Sequence, residues 1–153
     1  MCRYPWGYGQ EAQNLKDVGR KIDAQHHLWG VSAVRYPGLG EQGAVRFFGD
    51  ASPIQRDYLV GEFRADARAQ GMAASVHIQV GAADPLAEAT WVQAVADASP
   101  GWPAAQVEFC DLTRDDLDDR LNALQAPPTV RGVRQIVGRA PAEDAATGTN
   151  ALL

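Results

Sequence analysis

Residues 73–112 read AASVHIQVGAADPLAEATWVQAVADASPGWPAAQVEFCDL. Ala73 to Val80 is a short, largely apolar run closed by Gly81, the pattern of a buried strand. Asp84-Pro85 then offers an N-cap and a first-turn proline, and Ala89, Val92 and Val95/Ala96 recur on one helical face. Ala105 to Leu112 repeats the buried-strand pattern. A strand, a helix and a second strand in this order form a βαβ unit, in which the strands run parallel and the crossover is right-handed.

The alternation continues in both directions. Lys21 to Trp29 and Val130 to Val137 read as further strands. Arg56 to Gln70 reads as a helix through Leu59, Phe63 and Ala67, with Gly71 placed to end it. Thr113, with Asp116 three residues on, forms a capping-box-like start for a helix through Leu117, Leu121 and Leu124 that Pro127-Pro128 stops. The fold class is therefore α/β, with four parallel strands. Val31 to Ser52 is a long connection after the first strand, and such connections at the C-terminal ends of strands are usually binding loops or lids. Residues 1–20, which hold Gly7, Gly9 and Gly19 without periodicity, read as an irregular lead-in to one domain over 21–153. Residues 140–150, rich in small and polar side chains, read as a poorly ordered tail.

The composition agrees with a single globular domain: 153 residues, 46% apolar and 22% charged. Fourteen basic and nineteen acidic side chains leave a net charge of −5 with no basic stripe, which argues against nucleic acid as a partner. No apolar run approaches the length of a membrane span, and residues 1–6 carry no signal-peptide pattern. Cys2 and Cys110 lack paired spacing, so a cytoplasmic location with reduced thiols is expected.

The densest chemical cluster is Asp23-Ala24-Gln25-His26-His27-Leu28-Trp29. Strict alternation along a strand puts Asp23, Gln25 and His27 on one face and Ala24, His26 and Leu28 on the other. A lone imidazole on a buried strand is either a hydrogen-bonded core residue or a ligand, and spacing alone does not choose. His77 and Gln79 share a face near a strand end, where they either line a mouth or form a buried polar pair. Cys110 has no base beside it and reads as a buried, inert thiol, and Asp111 reads as fixing the turn into Thr113. Asp115-Asp116 and Asp118-Asp119 read as a solvated helix start.

Ile22-Asp23-Ala24-Gln25-His26-His27-Leu28-Trp29 resembles the opening of the amidohydrolase-related family, in its lactonase-containing branch, where the motif usually reads Asp-x-His-x-His-x-Trp. Asp57-Tyr58-Leu59, Ser75 to Gln79, Ala83-Asp84-Pro85 with Glu88, Trp91 and Val92, and Val130 to Gln135 are similar in the same order. The resemblance implies a partial (β/α)8 TIM barrel, about its first four βα units, since whole barrels take about 250 residues. It implies a hydrolase that opens a lactone or amide in a small, carboxylated molecule, with His27 and Gln25 at the catalytic position. Arg134, His77 and Gln79 would then contact substrate. Arg134 could equally be paired with a helix carboxylate, and Arg131, on the opposite face, reads as structural. The resemblance also implies a divalent metal such as zinc with His27 as a ligand, although Gln25 stands where the first motif histidine would be. The alternative is a non-catalytic, truncated half-barrel, or a subunit that needs a complementary C-terminal half. Such a half would keep unpaired strand edges and favour self-association.

Overall fold

The computed structural model describes residues 21–40, 45–46 and 49–135. The lead-in over 1–20 and the tail over 140–150 lie outside them. Elements follow in the order β1 (Lys21–His26), α1 (Pro37–Gly40), β2 (Val45–Arg46), β3 (Gly49–Asp50), a 3-10 turn (Ser52–Ile54), α2 (Val60–Ala69), β4 (Met72–Ile78), α3 (Pro85–Ala98), β5 (Ala105–Phe109), α4 (Leu117–Leu124) and β6 (Val130–Arg134). Strands β1, β4, β5 and β6 form one sheet in that spatial order, and each neighbouring pair is parallel. The α/β architecture read from the sequence is the one observed.

Local chemistry accounts for most element ends. The Asp84 carboxyl accepts the Leu86 N–H at 3.0 Å and starts α3. Gly71 adopts φ 77°, a left-handed conformation that lets the chain turn from α2 into β4. Two expectations need correction. Helix α2 starts at Val60, not Arg56, because Tyr58 is drawn into an antiparallel bridge with Trp29. Thr113 does not open α4, because Asp111 Oδ1 accepts both the Thr113 N–H and its hydroxyl at 3.0 and 2.6 Å. Helix α4 starts at Leu117, and the Asp116 carboxyl is occupied by Arg114 and Arg120. Asp111 does fix the turn, as expected.

The connection after β1 contains α1 and the short antiparallel ladder of β2 with β3. Its ends are tied together by the bridge, with Trp29 N–H donating to Tyr58 O at 3.1 Å and Tyr58 N–H to Trp29 O at 2.8 Å. The Trp29 indole packs on Tyr58 at 5.0 Å between centroids and donates to Ile54 O at 3.1 Å. Gly30 follows, where a Cβ would stand 3.0 Å from the Trp91 ring of α3, so a larger residue would have to push that ring aside.

Laterally aligned residues of parallel strands point to the same side, so His26, His77 and Gln106 form one row across β1, β4 and β5. His26 stacks on Phe63 of α2 at 3.9 Å, and Gln106 Nε2 donates to Ala89 O of α3. This row therefore faces the helices. Two apolar clusters lie in that layer. One joins Leu28, Phe63, Ala67 and Trp102, and the other Ala89, Cys110, Leu124 and Val130. Cys110 is buried and free, with burial pushing its thiol pKa up, so it is poorly suited to act as a nucleophile. Among the described residues no helix is long and apolar enough to cross a membrane.

Candidate active site at the strand ends

The β1–β4 register aligns Asp23 with Ser75 and His26 with His77, so Ala24 and Gln25 lie opposite Val76 alone. This is a β-bulge, a device that re-aims side chains and is common beside active sites. It breaks the strict alternation expected here and puts Asp23 in the helix-facing row with His26. Gln25 is exposed within the bulge, and His27 is half-buried just past it.

His27 Nδ1 stands 2.8 Å from the carbonyl oxygen of Ile78. A carbonyl can only accept, so Nδ1 carries the proton, and in the neutral ring Nε2 is left as a lone-pair acceptor. Arg134 Nη2 donates to the next carbonyl, Gln79 O, at 2.8 Å. His27, just after β1, and Arg134, the last residue of β6, are thus anchored on consecutive carbonyls at the end of β4, although β1 and β6 are the two edges of the sheet. Arg131 instead binds back to Pro128 O and is exposed, as expected for a structural residue.

His77 and Gln79 are 0% and 2% exposed. Leu28 N–H donates to His77 Nδ1 at 3.3 Å, so the His77 proton is on Nε2, which stands 3.6 Å from Glu88 Oε1. Burial holds the His77 pKa below the ordinary imidazole range, although Glu88 pulls it up, so the ring is neutral. His26 is pushed down to about 3 by burial, with His77 and His27 adding to the shift.

Three residues beside these were not singled out as site residues from the sequence: Glu88, Glu108 and Tyr36. Glu88, 1% exposed in the first turn of α3, accepts Val80 N–H at 2.8 Å and Ala82 N–H at 3.3 Å. Glu108 is 0% exposed, and its carboxyl oxygens have no hydrogen-bond partner among the described residues. Burial, then the nearby Glu88 carboxyl, pushes Glu108 up to about 8, with Arg134 opposing the rise. Burial likewise raises the Tyr36 phenol, and Glu88 and Glu108 add to it. The available signal was the alternation Gln106, Glu108, Cys110 along a strand read as buried, which puts polar groups on one of its faces.

The zinc expectation does not fit the described residues on their own. Gln25 offers a neutral amide where an imidazole is needed, and among the described residues no three His, Cys, Asp or Glu side chains converge on a metal position.

No family model matches the chain. The uncharacterized protein y4mH of Sinorhizobium fredii is 35% identical over 116 residues, which make up 74% of this chain and 39% of that protein. Two crystal structures of an amidohydrolase from Burkholderia multivorans, one with bound HEPES and one with bound zinc, are each 24% identical and cover 76% of this chain. Their TM-scores are 0.54 and 0.55, and the match takes in 36% and 37% of their own chains. This chain therefore spans well under half the length of each of these proteins. Its four parallel strands and the helices between them have the fold of the N-terminal part of an amidohydrolase-type (β/α)8 barrel.

Proposed function

We propose that this chain supplies the N-terminal share of a hydrolase site that opens a lactone or amide bond in a small, carboxylated molecule. The observation behind this reading is the pairing at the end of β4, where His27 keeps Nε2 as an acceptor and Arg134 is anchored one carbonyl further on. In this reading the Arg134 guanidinium and the Gln25 amide N–H donate to the substrate's carbonyl or carboxylate. Water attacks the polarised carbonyl carbon and passes a proton to His27 Nε2. The tetrahedral intermediate then collapses with cleavage of the C–O or C–N bond, and the leaving atom takes that proton. His77 and Gln79 are buried behind the site, with Gln79 contributing its carbonyl to Arg134. The fold likeness to an amidohydrolase supports a hydrolase, and the buried free thiol of Cys110 suits the cytoplasm.

The test is a panel of carboxylated lactones and amides assayed with the purified chain. Turnover is expected to vanish in His27→Ala and to fall by roughly 10²–10³ in Arg134→Ala, the effect of losing one oxyanion contact. Turnover that survives His27→Ala would sink the mechanism.

One observation favours a second reading, a non-catalytic half-barrel or a subunit that needs a complementary half. Strands β1 and β6 are open edges of the described sheet, and Ile22 on β1 is 50% exposed. A second copy or a complementary chain would cover them. Light scattering coupled to size exclusion should then show a dimer or larger species, and a sharp monomer without lactone turnover would leave only an inactive half-barrel.

A further inference from the structure

The end of β1 is held to the end of β4 by two hydrogen bonds that cross. His27 Nδ1–H reaches forward to Ile78 O, and His77 Nδ1 receives Leu28 N–H in return. Both bonds depend on where the ring protons sit. If His77 carried its proton on Nδ1, that atom would face the Leu28 N–H donor to donor, the backbone at Leu28 would be pushed off, and the His27 bond to Ile78 would lose its alignment. Something must therefore keep the His77 proton on Nε2. The group facing Nε2 is the Glu88 carboxyl, 1% exposed and 3.6 Å away, too far for a hydrogen bond but close enough for its charge to attract the proton to that side of the ring.

Glu88 is itself held in place. Its two oxygens accept the Val80 and Ala82 N–H groups of the turn that leaves β4, and the Asp84 cap fixes the helix turn on which it stands. A carboxyl is costly to bury for packing alone, and this one, beside Glu108 and Tyr36, is held by the two N–H groups it accepts.

We propose that Glu88 is a positioning residue: acting through His77, it sets the tautomer and the seat of His27. The inference rests on reading His27 as the imidazole of the site, but its test does not require the reaction. The chain contains three histidines, so ¹⁵N-histidine labelling of the whole protein gives a spectrum in which each ring's tautomer is read from two-bond proton–nitrogen correlations. At a pH where all three rings are neutral, the parent protein should show His27 protonated on Nδ1 and His77 on Nε2. A His27 ring protonated mainly on Nε2 in the parent overturns the proposal at once. In Glu88→Ala, the Nδ1-to-Nε2 proton ratio of His27 should fall by roughly tenfold, the factor that about 1.4 kcal/mol produces. Glu88→Gln, which keeps an oxygen dipole facing His77 Nε2 but not the charge, should restore part of it. If Glu88→Ala does not fold, Glu88→Asp, which withdraws the carboxyl by one methylene, should shift the same ratio in the same direction. An unchanged His27 ratio in the folded variant overturns the proposal. Absence of lactone turnover would end the functional reading and leave the tautomer result standing.

Discussion

The layer between sheet and helices holds two regions built on opposite principles. At its flanks, Leu28, Phe63, Ala67 and Trp102 on one side and Ala89, Cys110, Leu124 and Val130 on the other are small apolar clusters. Between them runs a polar seam of Ser75, His77, Gln106, Glu88 and Glu108, each at most 1% exposed. Several atoms of this seam, including Ser75 Oγ, Gln106 Oε1 and both Glu108 carboxyl oxygens, have no hydrogen-bond partner among the described residues. The apolar flanks stabilise the fold in proportion to the area they bury. The seam costs stability wherever a polar atom is left unmatched. A polar strip of this kind is what one expects where stability is yielded to a site.

Four measurements would break or sharpen that contrast. The largest effect belongs to the flank: Phe63→Ala removes the ring that stacks on His26 and meets Trp102, and should cost about 3–5 kcal/mol in urea denaturation. A cost near zero would mean that the clusters do not hold the fold.

The seam should show itself through pH. Glu108 is raised from 4.5 to about 8 in the folded chain, so folding keeps a proton that the unfolded chain releases. Stability tied to this group is then fully present below about pH 4.5, declines as pH rises towards 8, and is level above that, for a total loss on the order of 2–4 kcal/mol. Glu108→Gln should flatten the slope in that window and be the more stable protein on the alkaline side. Parallel pH profiles for the two proteins would refute the assignment.

Smaller effects lie outside both regions. Gly71→Ala should cost about 1 kcal/mol, because φ 77° strains any residue with a Cβ, and thermal denaturation would read it. Glu62→Ala removes an exposed partner of Arg56 and should leave the melting temperature unchanged within error.

How much of this could be read in advance follows the same division. Helix α3 with its Asp84 cap and the glycine after α2 were legible because their signals are local: an Asp-Pro pair, an apolar period, a glycine at a helix end. The bulge in β1 was not, because it is a mismatch between two strands and neither strand contains it alone. Thr113 was assigned to the wrong structure because Asp111, two residues earlier, captures both its donors. Of the site, Gln25, His27, His77, Gln79 and Arg134 could be named by residue type and likeness, but not their anchorage on Ile78 and Gln79, which exists only once the strands are side by side. Glu88 and Glu108 are not legible as site residues, since a carboxylate in a sequence normally signals solvent, and here both are buried.

The reciprocal bridge between Trp29 and Tyr58 pins the two ends of the connection that separates them. Such a span behaves as a cassette. Its ends are fixed by the frame, so a change of length among its exposed residues enters the stability of the whole through loop closure, where each doubling adds about 0.6 kcal/mol. The exposed part of the segment carries that freedom, while Val34, Tyr36 and Ala51 are buried and seat it on the frame. Gly30 marks where that freedom begins, because a side chain there would crowd the Trp91 ring. A designer varying this cassette would change its exposed residues and leave Val34, Tyr36, Ala51 and the two anchors alone.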